Sequence, residues 1–209
     1  MIQSVWGATI ATNWLRERLS LVILLAVVAA LGLIGALASG WNSPRPGTPP
    51  DWEALTLPRR VEVGPDETYL SLLGHLAADY TFEVIVLPPA EPSSGFYDFG
   101  LVYRAQDDTR YYAFVVGTDG YYAVVRMEGD QRTVLVPWQQ FPHIRRGRQW
   151  NRLLVTCTGP VCVFRINDEH AATVEDDRWL SGDVGLWVRS SGEQDTVQFN
   201  AARMWMPDD

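Results

Sequence analysis

The chain has 209 residues, 47% of them hydrophobic and 11% aromatic, and its 17 basic and 25 acidic residues give a formal net charge of −8 at pH 7. The length suits one domain of ordinary size with an appendage. The negative charge argues against nucleic-acid binding, because it leaves no basic face to displace counterions from phosphates. The aromatic content and the low share of charged residues, 20%, argue against disorder.

The N-terminal region predicts a membrane anchor. Residues 19–39 carry no charge, and as a helix they would be about 31 Å long, the thickness of the hydrocarbon core of a bilayer. We predict a cytoplasmic tail over residues 1–18 and a transmembrane helix over residues 19–40. A cleaved signal peptide is the alternative, because residues 36–38 resemble an A-x-A cleavage site, although the apolar stretch is longer than signal peptides usually have.

The flanking charges predict the orientation of the anchor. Arg16 and Arg18 precede the span, whereas the nearest positive charge after it is Arg45. This bias places the N-terminus in the cytoplasm and the C-terminal domain in the periplasm or outside the cell. Residues 41–50 contain four prolines and one glycine, which predicts a semi-extended linker to a domain over residues 51–209.

Small residues recur along the predicted span. Gly32, Ala36 and Gly40 are spaced by four and therefore share one face of a helix. Such a face would let the helix of another membrane subunit approach closely. Ordinary use of Gly and Ala in a membrane span explains the pattern equally well.

From residue 80 onward the pattern predicts β-strands. Short segments rich in β-branched and aromatic residues recur about every ten residues between turn residues. That spacing is typical of an antiparallel sandwich or barrel. The predicted strands are Tyr80–Leu87, Gly100–Arg104, Tyr111–Val116, Tyr121–Met127, Thr133–Val136, Asn151–Cys157, Val161–Asn167, Ala171–Val174, Val184–Arg189 and Thr196–Trp205. Residues 68–78 fit either a short helix or a strand, and the choice stays open.

The order of the motifs within these strands is distinctive. In sequence, they are GLVYR at 100–104, YY at 111–112, GYY at 120–122, NRL at 151–153 and GDVGL at 182–186. This order resembles that of the bacterial concanavalin A-like, laminin-G-like jelly rolls, including those grouped with 3-keto-disaccharide hydrolase domains. The resemblance implies a mainly β protein with a jelly-roll β-sandwich over residues 80–206. It implies no single function, because the fold hosts lectins, glucanases and interaction modules.

The stretch before Tyr80 departs from this family pattern. It is short for a complete first hairpin, which predicts that part of the usual sandwich is trimmed.

The two cysteines predict a disulfide. Cys157 and Cys162 are the only cysteines of the chain and flank a turn between two predicted strands. Opposite positions of such a hairpin bring the Cβ atoms near disulfide range, and disulfides persist outside the cytoplasm. Neither a second cysteine pair, which zinc would need, nor the C-x-x-C-H sequence of haem attachment occurs.

The sequence contains no recognisable catalytic motif. The Glu-x-Asp-x-x-Glu strand motif of retaining glucanases with this fold does not occur, and the acidic residues 175–177 follow a strand in a manner that suits a turn. The three histidines are scattered and form no H-E-x-x-H motif. We therefore predict no catalytic residues and no enzyme activity.

Calcium is the one cofactor that the sequence leaves open. Jelly rolls of the resembled family sometimes bind calcium through carboxylates and carbonyls in loops, and oxygen ligands suit this hard cation. The candidate ligands are Asp107, Asp108, Asp176 and Asp177. Asp-rich turns are common without metal, so a domain without a cofactor is the simpler expectation.

A basic cluster suggests one kind of partner. Arg145, Arg146, Arg148 and Arg152 lie within eight residues, which predicts contact with lipid phosphates or with an acidic partner. A solvated loop that runs into a strand is the simpler interpretation.

Aromatic residues suggest a second kind of partner. The candidates for stacking on sugar rings are Trp138, Trp150 and Trp179, with Trp187 and Trp205 as further members of the same aromatic set. Neighbours in a strand face opposite ways, so one tyrosine in each of the pairs 111–112 and 121–122 points outward and can extend the platform. Core packing and cross-strand pairing are the alternative explanation of these side chains.

Three functions remain at this stage. The anchor, the short linker and the lack of a reaction centre favour a non-catalytic accessory subunit of a larger membrane complex, with a respiratory or photosynthetic electron-transfer complex as one setting. The alternative is a surface lectin-like module that binds carbohydrate, and the third is a glycosidase-like enzyme. The expected partners are the membrane and other membrane subunits, or carbohydrate, and not nucleic acid.

Overall fold

The computed structural model of the chain describes residues 48–54, 57, 60–89, 96–192 and 194–207. The chain divides into two compact units, Met1–Asn42 and Ser43–Asp209, and every described residue belongs to the second. The predicted tail, the predicted span with Gly32, Ala36 and Gly40, and most of the linker lie outside the described residues. In the described part of the chain, no helix is long and apolar enough to cross a membrane.

The described residues form thirteen β-strands. In chain order they are β1 (Trp52–Glu53), β2 (Arg60–Val63), β3 (Thr68–Leu72), β4 (Tyr80–Leu87), β5 (Tyr97–Ala105), β6 (Arg110–Gly117), β7 (Tyr121–Glu128), β8 (Gln131–Gln140), β9 (Asn151–Thr158), β10 (Val161–Ile166), β11 (Glu169–Glu175), β12 (Asp183–Ser190) and β13 (Asp195–Trp205). Each of the ten predicted strands is present, with bounds that differ by a few residues at most. The undecided segment at 68–78 begins with a strand, β3.

The strands form two antiparallel sheets. The seven-stranded sheet has the order β1-β13-β4-β9-β10-β11, with β2 also paired to β13, and the six-stranded sheet has the order β3-β12-β5-β6-β7-β8. This architecture confirms the predicted antiparallel β-sandwich. The stretch before residue 80 supplies β1 and β2, which the sequence pattern did not predict, and β3, for which it left a strand open. β3 forms an edge of the six-stranded sheet.

Apolar side chains of both sheets fill the core between them. Phe82 and Phe164 of the seven-stranded sheet and Leu101 and Phe114 of the six-stranded sheet are fully buried. The rings of Phe114 and Phe164 meet across the core with their centroids 5.0 Å apart. Each such side chain stabilises the fold by about 1.5–3 kcal/mol relative to its exposed state.

A buried arginine ties together three segments at one end of the sandwich. Arg104 is 1% exposed, and its φ of 49° lies in the left-handed region. Its guanidinium donates to the carbonyl oxygens of Gly159 at 2.5 Å and of Ala78 and Trp179 at 3.4 Å each. These carbonyls belong to the β9–β10 turn and to the segments before β4 and β12, so one side chain fixes the ends of both sheets.

The predicted disulfide is confirmed. Cys157 of β9 and Cys162 of β10 occupy opposite positions of the hairpin, with a Cα–Cα distance of 4.1 Å. Both residues are buried against the core. The disulfide therefore closes a short loop next to the Gly159 carbonyl that receives Arg104.

We expect the Cys157→Ala/Cys162→Ala double variant to lose about 2 kcal/mol of unfolding free energy, because the bond restricts a short loop in the unfolded chain. Urea denaturation under oxidising conditions measures this loss. Reduction of the unmodified protein should produce a similar shift, and a double variant as stable as the oxidised parent would contradict the prediction.

We expect Arg104→Leu to cost about 3 kcal/mol or more, because three carbonyl groups lose their donor and a buried unsatisfied polar group costs about 1–3 kcal/mol. The comparison is Arg110→Leu, which removes an exposed arginine and should change stability by less than about 1 kcal/mol. Equal urea midpoints for the two variants would show that the Arg104 hydrogen bonds do not stabilise the fold.

Candidate functional site

The neighbouring strands β6 and β7 give the six-stranded sheet two different faces. Side chains alternate between the faces of a strand, and here the large ones point inward: Tyr112, Phe114 and Tyr122 lie in the core. The outer face of the two strands carries smaller side chains between two tyrosines. In chain order these outer residues are Tyr111, Ala113, Val115, Tyr121, Ala123 and Val125.

A cavity of about 500 Å³ opens on this outer face. Ala113, Val115 and Val125 contribute to its lining, and they are almost fully buried by the larger side chains around them. Small residues in the middle of the sheet thus leave a depression, as small-molecule sites in proteins require.

Aromatic rings surround the depression. Trp187 of β12, Tyr111 of β6, Tyr121 of β7 and Trp138 of β8 all line the cavity, together with Phe96 just before β5. Tyr121 is 38% exposed and Trp138 is 40% exposed. Flat rings that remain partly open to solvent can pack against the apolar faces of a ligand, and their polar ends can form hydrogen bonds with it.

Two carboxylates meet at one end of the cavity. Asp98 of β5 is the register partner of Gly117 in β6. A Cβ atom at Gly117 would lie 2.4 Å from Asp119 Oδ1 and 3.3 Å from Asp98 Oδ1. A side chain at 117 would therefore displace the Asp119 carboxylate from its position beside Asp98.

Backbone hydrogen bonds hold this acidic end in place. The Tyr97 amide donates to Thr118 Oγ1 at 3.2 Å, and the Thr118 amide donates to the Tyr97 carbonyl at 2.9 Å. The Tyr121 amide donates to Asp119 Oδ1 at 3.2 Å. These bonds fix the start of β5 against the β6–β7 turn, so the two carboxylates do not depend on a ligand for their position.

Asp98 is an unusual carboxyl group. The residue is 5% exposed, and its side chain accepts no hydrogen bond from the described residues. Burial, reinforced by the negative charge of Asp119, raises the pKa of Asp98 to about 7, against the opposing effects of Arg189 and Arg132. The Asp98 carboxyl group lines the cavity, and a ligand with hydroxyl groups can donate hydrogen bonds to it.

Two arginines complete the polar part of the cavity lining. Arg189 of β12 is the register partner of Asp98, and Arg132 extends from β8. Neither guanidinium forms a hydrogen bond or an ion pair with the described part of the chain. The cavity therefore offers aromatic surfaces together with both hydrogen-bond acceptors and donors.

The sequence-predicted sugar-stacking residues have three different locations. Trp138 lines the cavity. Trp150 is equally exposed, at 40%, but lies in the β8–β9 loop and not among the lining residues. Trp179 packs its ring edgewise on Tyr112 at 5.3 Å between centroids. The tyrosine pairs divide between the two faces as the alternation predicts.

Trp187 of β12, also predicted to stack on sugars, lines the cavity, whereas Trp205 is buried. Sequence reasoning missed several other residues of the lining, among them Asp98, Asp119, Arg132, Arg189 and Phe96. A signal was available for Arg189, because it and Trp187 alternate with the core residues Leu186 and Val188 and therefore share the outer face. Asp98 gave no such signal, since its burial follows from the tertiary packing.

Two of the four calcium candidates are engaged in other contacts. Asp107 accepts hydrogen bonds from Thr109 and Arg110, which lower its pKa. Asp176 accepts hydrogen bonds from the Tyr112 hydroxyl and the Arg126 guanidinium at 2.6 Å each. The remaining two candidates, Asp108 and Asp177, are exposed. Within the described ranges, no three His, Cys, Asp or Glu side chains form a group that could hold a metal ion.

The basic cluster divides into a loop and a strand. Arg152 of β9 forms ion pairs with Glu83 and Asp168. Arg145, Arg146 and Arg148 are exposed in the β8–β9 loop. The loop precedes the end of β9 that pairs with Val86, whereas the first described residue, Thr48, bonds to Trp205 at the opposite end of the sandwich. The predicted contact with lipid or an acidic partner stays a prediction.

Comparison with known proteins identifies the fold. No protein-family model matches the sequence, and no curated protein matches it significantly. Carbohydrate-binding module CBM66 from Bacillus subtilis is 17% identical, with a TM-score of 0.58 over 69% of this chain and 85% of that one. The GH43 BlXynB protein from Bacillus licheniformis is also 17% identical, with a TM-score of 0.50 over 70% of this chain and 32% of that one. The chain thus shares the jelly-roll β-sandwich of these proteins.

We expect Asp98→Asn to raise the melting temperature at pH 8 and to change it little at pH 4. The pKa of Asp98 is about 7 in the folded state and about 3.9 in an unfolded chain. Between these values the folded state binds more protons than the unfolded state, so stability falls as pH rises through this window. Asn cannot ionise, so the variant does not lose this stability as pH rises.

Thermal unfolding at pH 4, 6 and 8 measures this effect, with Asp130→Asn in the exposed β7–β8 turn as the matched control. A difference between the Asp98 variant and its parent that does not grow with pH would contradict the elevated pKa.

Proposed function

We propose that this domain binds carbohydrate in the cavity on the outer face of the six-stranded sheet. The observation that carries the proposal is the composition of the cavity: aromatic rings surround a floor of small side chains, and two acids and two arginines complete the lining. Sugar rings present apolar C–H faces and polar hydroxyl edges, so they match such a site.

The hydroxyl chemistry of a sugar fits the polar end. A hydroxyl group both donates and accepts hydrogen bonds. Asp98 and Asp119 supply acceptors, while Arg132 and Arg189 supply donors. A pair of adjacent hydroxyls can therefore satisfy the buried Asp98 carboxylate and a guanidinium at the same time.

The fold comparison supports this proposal over an accessory role. The structure with a TM-score of 0.58 is named as a carbohydrate-binding module, which favours the lectin-like alternative. The role as accessory subunit of an electron-transfer complex stays a prediction. We also propose that the uncharged residues 19–40 anchor the domain in the membrane, with the domain outside the cytoplasm.

Glycoside hydrolysis is the second candidate, and one observation favours it. Asp98 and Asp119 form a carboxyl pair in the cavity, and the pKa of Asp98 is raised to about 7. Hydrolysis uses two carboxyl groups, one of them with a raised pKa as general acid. Binding without turnover remains the favoured proposal, because neither acid belongs to a recognised catalytic motif.

Incubation of the purified chain with oligosaccharides, followed by a reducing-end assay, separates the two functions. Release of new reducing ends that is lost in Asp98→Asn would establish hydrolysis. Binding without release supports the binding module.

We expect Trp138→Ala and Tyr121→Ala each to weaken saccharide binding about tenfold, because loss of a desolvated aromatic contact costs about 1–2 kcal/mol. Isothermal titration of the purified full chain against a panel of neutral and acidic oligosaccharides measures the affinity. Trp150→Ala is the matched control, since Trp150 has the same 40% exposure as Trp138 but lies outside the cavity.

The control variant should bind like the parent protein. Failure of the parent to bind any saccharide would contradict the proposal, and so would an equal loss of affinity in the Trp150 and Trp138 variants.

A further inference from the structure

The cavity arginines differ from five other arginines of the domain that form ion pairs with acidic side chains. The paired residues are Arg110, Arg126, Arg152, Arg178 and Arg203. Arg132 and Arg189 have no such partner among the described residues, although the chain contains 25 acidic and only 17 basic residues. Two guanidinium groups without an ion pair therefore line the candidate site.

These two guanidiniums are close to acids without pairing with them. Asp98 and Asp119 are the carboxylates among the lining residues. Both arginines influence the ionisation of Asp98 through their charge, yet neither lies within ion-pair distance of it. The positive charges therefore stay available to a ligand in the cavity.

A third positive charge lies beside the same end. Arg146 of the β8–β9 loop runs along Gly120, in the turn between β6 and β7 that carries Asp119. A Cβ atom at Gly120 would lie 3.5 Å from Arg146 Cδ. Arg146 forms no ion pair with a described residue, so it adds a positive charge at the rim of the cavity.

We propose that the ligand of the cavity is an acidic saccharide, in which carboxylate groups of uronic-acid units pair with Arg132 and Arg189. The proposal rests on the carbohydrate-binding function proposed above and specifies its substrate class. Guanidinium groups suit carboxylates because their planar N–H groups can form two parallel hydrogen bonds with the two oxygens. The aromatic rings then pack against the sugar, and Arg146 attracts the next acidic unit of the chain.

Asp98 makes this recognition depend on pH. The charged and titratable groups around it are Asp119 in the β6–β7 turn, Arg189 of β12, Arg132 of β8 and the Tyr121 phenol of β7. A bound carboxylate adds negative charge beside Asp98 and raises its pKa further above 7. Binding therefore takes up a proton, and the affinity for an acidic saccharide should rise as pH falls from 8 to 6.

A neutral saccharide predicts the opposite trend. Its hydroxyl groups would donate to the ionised Asp98 and favour the charged form. Binding would then release a proton and weaken as pH falls, so the sign of the pH dependence distinguishes the two ligand classes.

The test compares acids with their uncharged esters. The purified full chain is titrated with oligosaccharides of galacturonate, glucuronate and mannuronate, each as the free acid and as the methyl ester, and with neutral oligosaccharides of the parent sugars. The ester keeps the ring and the hydroxyls but removes the charge. We expect at least one acid to bind tenfold or more tightly than its ester. Its affinity should fall as salt rises from 50 to 500 mM, because salt screens the attraction between the carboxylate and the guanidinium groups.

Variants assign the effect to the named side chains. Arg189→Gln and Arg132→Gln should each reduce the ratio between acid and ester affinity at least threefold. Arg60→Gln, an exposed arginine of β2 in the other sheet, should leave the ratio unchanged. Asp98→Asn should keep the binding of the acid and abolish its dependence on pH between 6 and 8. Thermal unfolding verifies that each variant is folded.

The outcomes separate this inference from the function on which it rests. If neutral sugars or esters bind as tightly as the acids, the acidic-ligand proposal is wrong and the carbohydrate-binding function stands. If no saccharide binds, both are wrong. Acid binding that weakens as pH falls from 8 to 6 would overturn the assigned role of Asp98.

Discussion

Everything at the candidate site depends on the strict alternation of side chains in β6 and β7. Neighbouring side chains of a strand point to opposite faces of the sheet, so the register that places one set in the core places the other set on the surface. Here the inward positions hold large rings such as Tyr112 and Phe114, which fill the core. The outward positions hold Ala113 and Val115, which leave space on the surface. A shift of one residue in register would exchange the two sets and remove both the core and the cavity.

Two buried charged side chains illustrate how stability and function divide in this fold. Arg104 and Asp98 are 1% and 5% exposed, so both have lost most of their contact with water. Arg104 donates to three carbonyl oxygens and thereby fastens one end of the sandwich. Asp98 accepts no hydrogen bond from the described residues, and its pKa rises to about 7 as a result of its burial and of the nearby Asp119. A ligand that donates hydrogen bonds to Asp98 can offset the free-energy cost of burying this carboxyl group.

The sequence predicted the sandwich well because its signals are local. Alternation and turn residues locate all ten strands from Tyr80 onward, and the same local logic places Cys157 opposite Cys162. Alternation also predicts which tyrosine of each pair faces outward. The strands before residue 80 escaped prediction because they are short and gain their order by pairing with β12 and β13.

The candidate site was only partly predictable, because proximity in space decides its membership. Trp138, Trp150 and Trp179 are alike in sequence terms, yet only Trp138 lines the cavity, while Trp179 folds back onto Tyr112. Asp98 lies beside Asp119 because Gly117 leaves space between them. Gly117 is on the neighbouring strand β6 and Asp119 is in the turn after it, so the sequence around Asp98 does not reveal this contact. The sequence also does not predict which arginines lack an ion pair, because this depends on the positions of all neighbouring side chains.

The most direct test of the account is an NMR titration of the full chain that follows the indole N–H signals with each saccharide of the acidic and neutral panel. The account predicts that a binding saccharide shifts the signals of Trp138 and Trp187 and leaves those of Trp150 and Trp179 in place. Shifts confined to Trp150 or Trp179, or no shift with any saccharide, would contradict a carbohydrate site on the outer face of the six-stranded sheet.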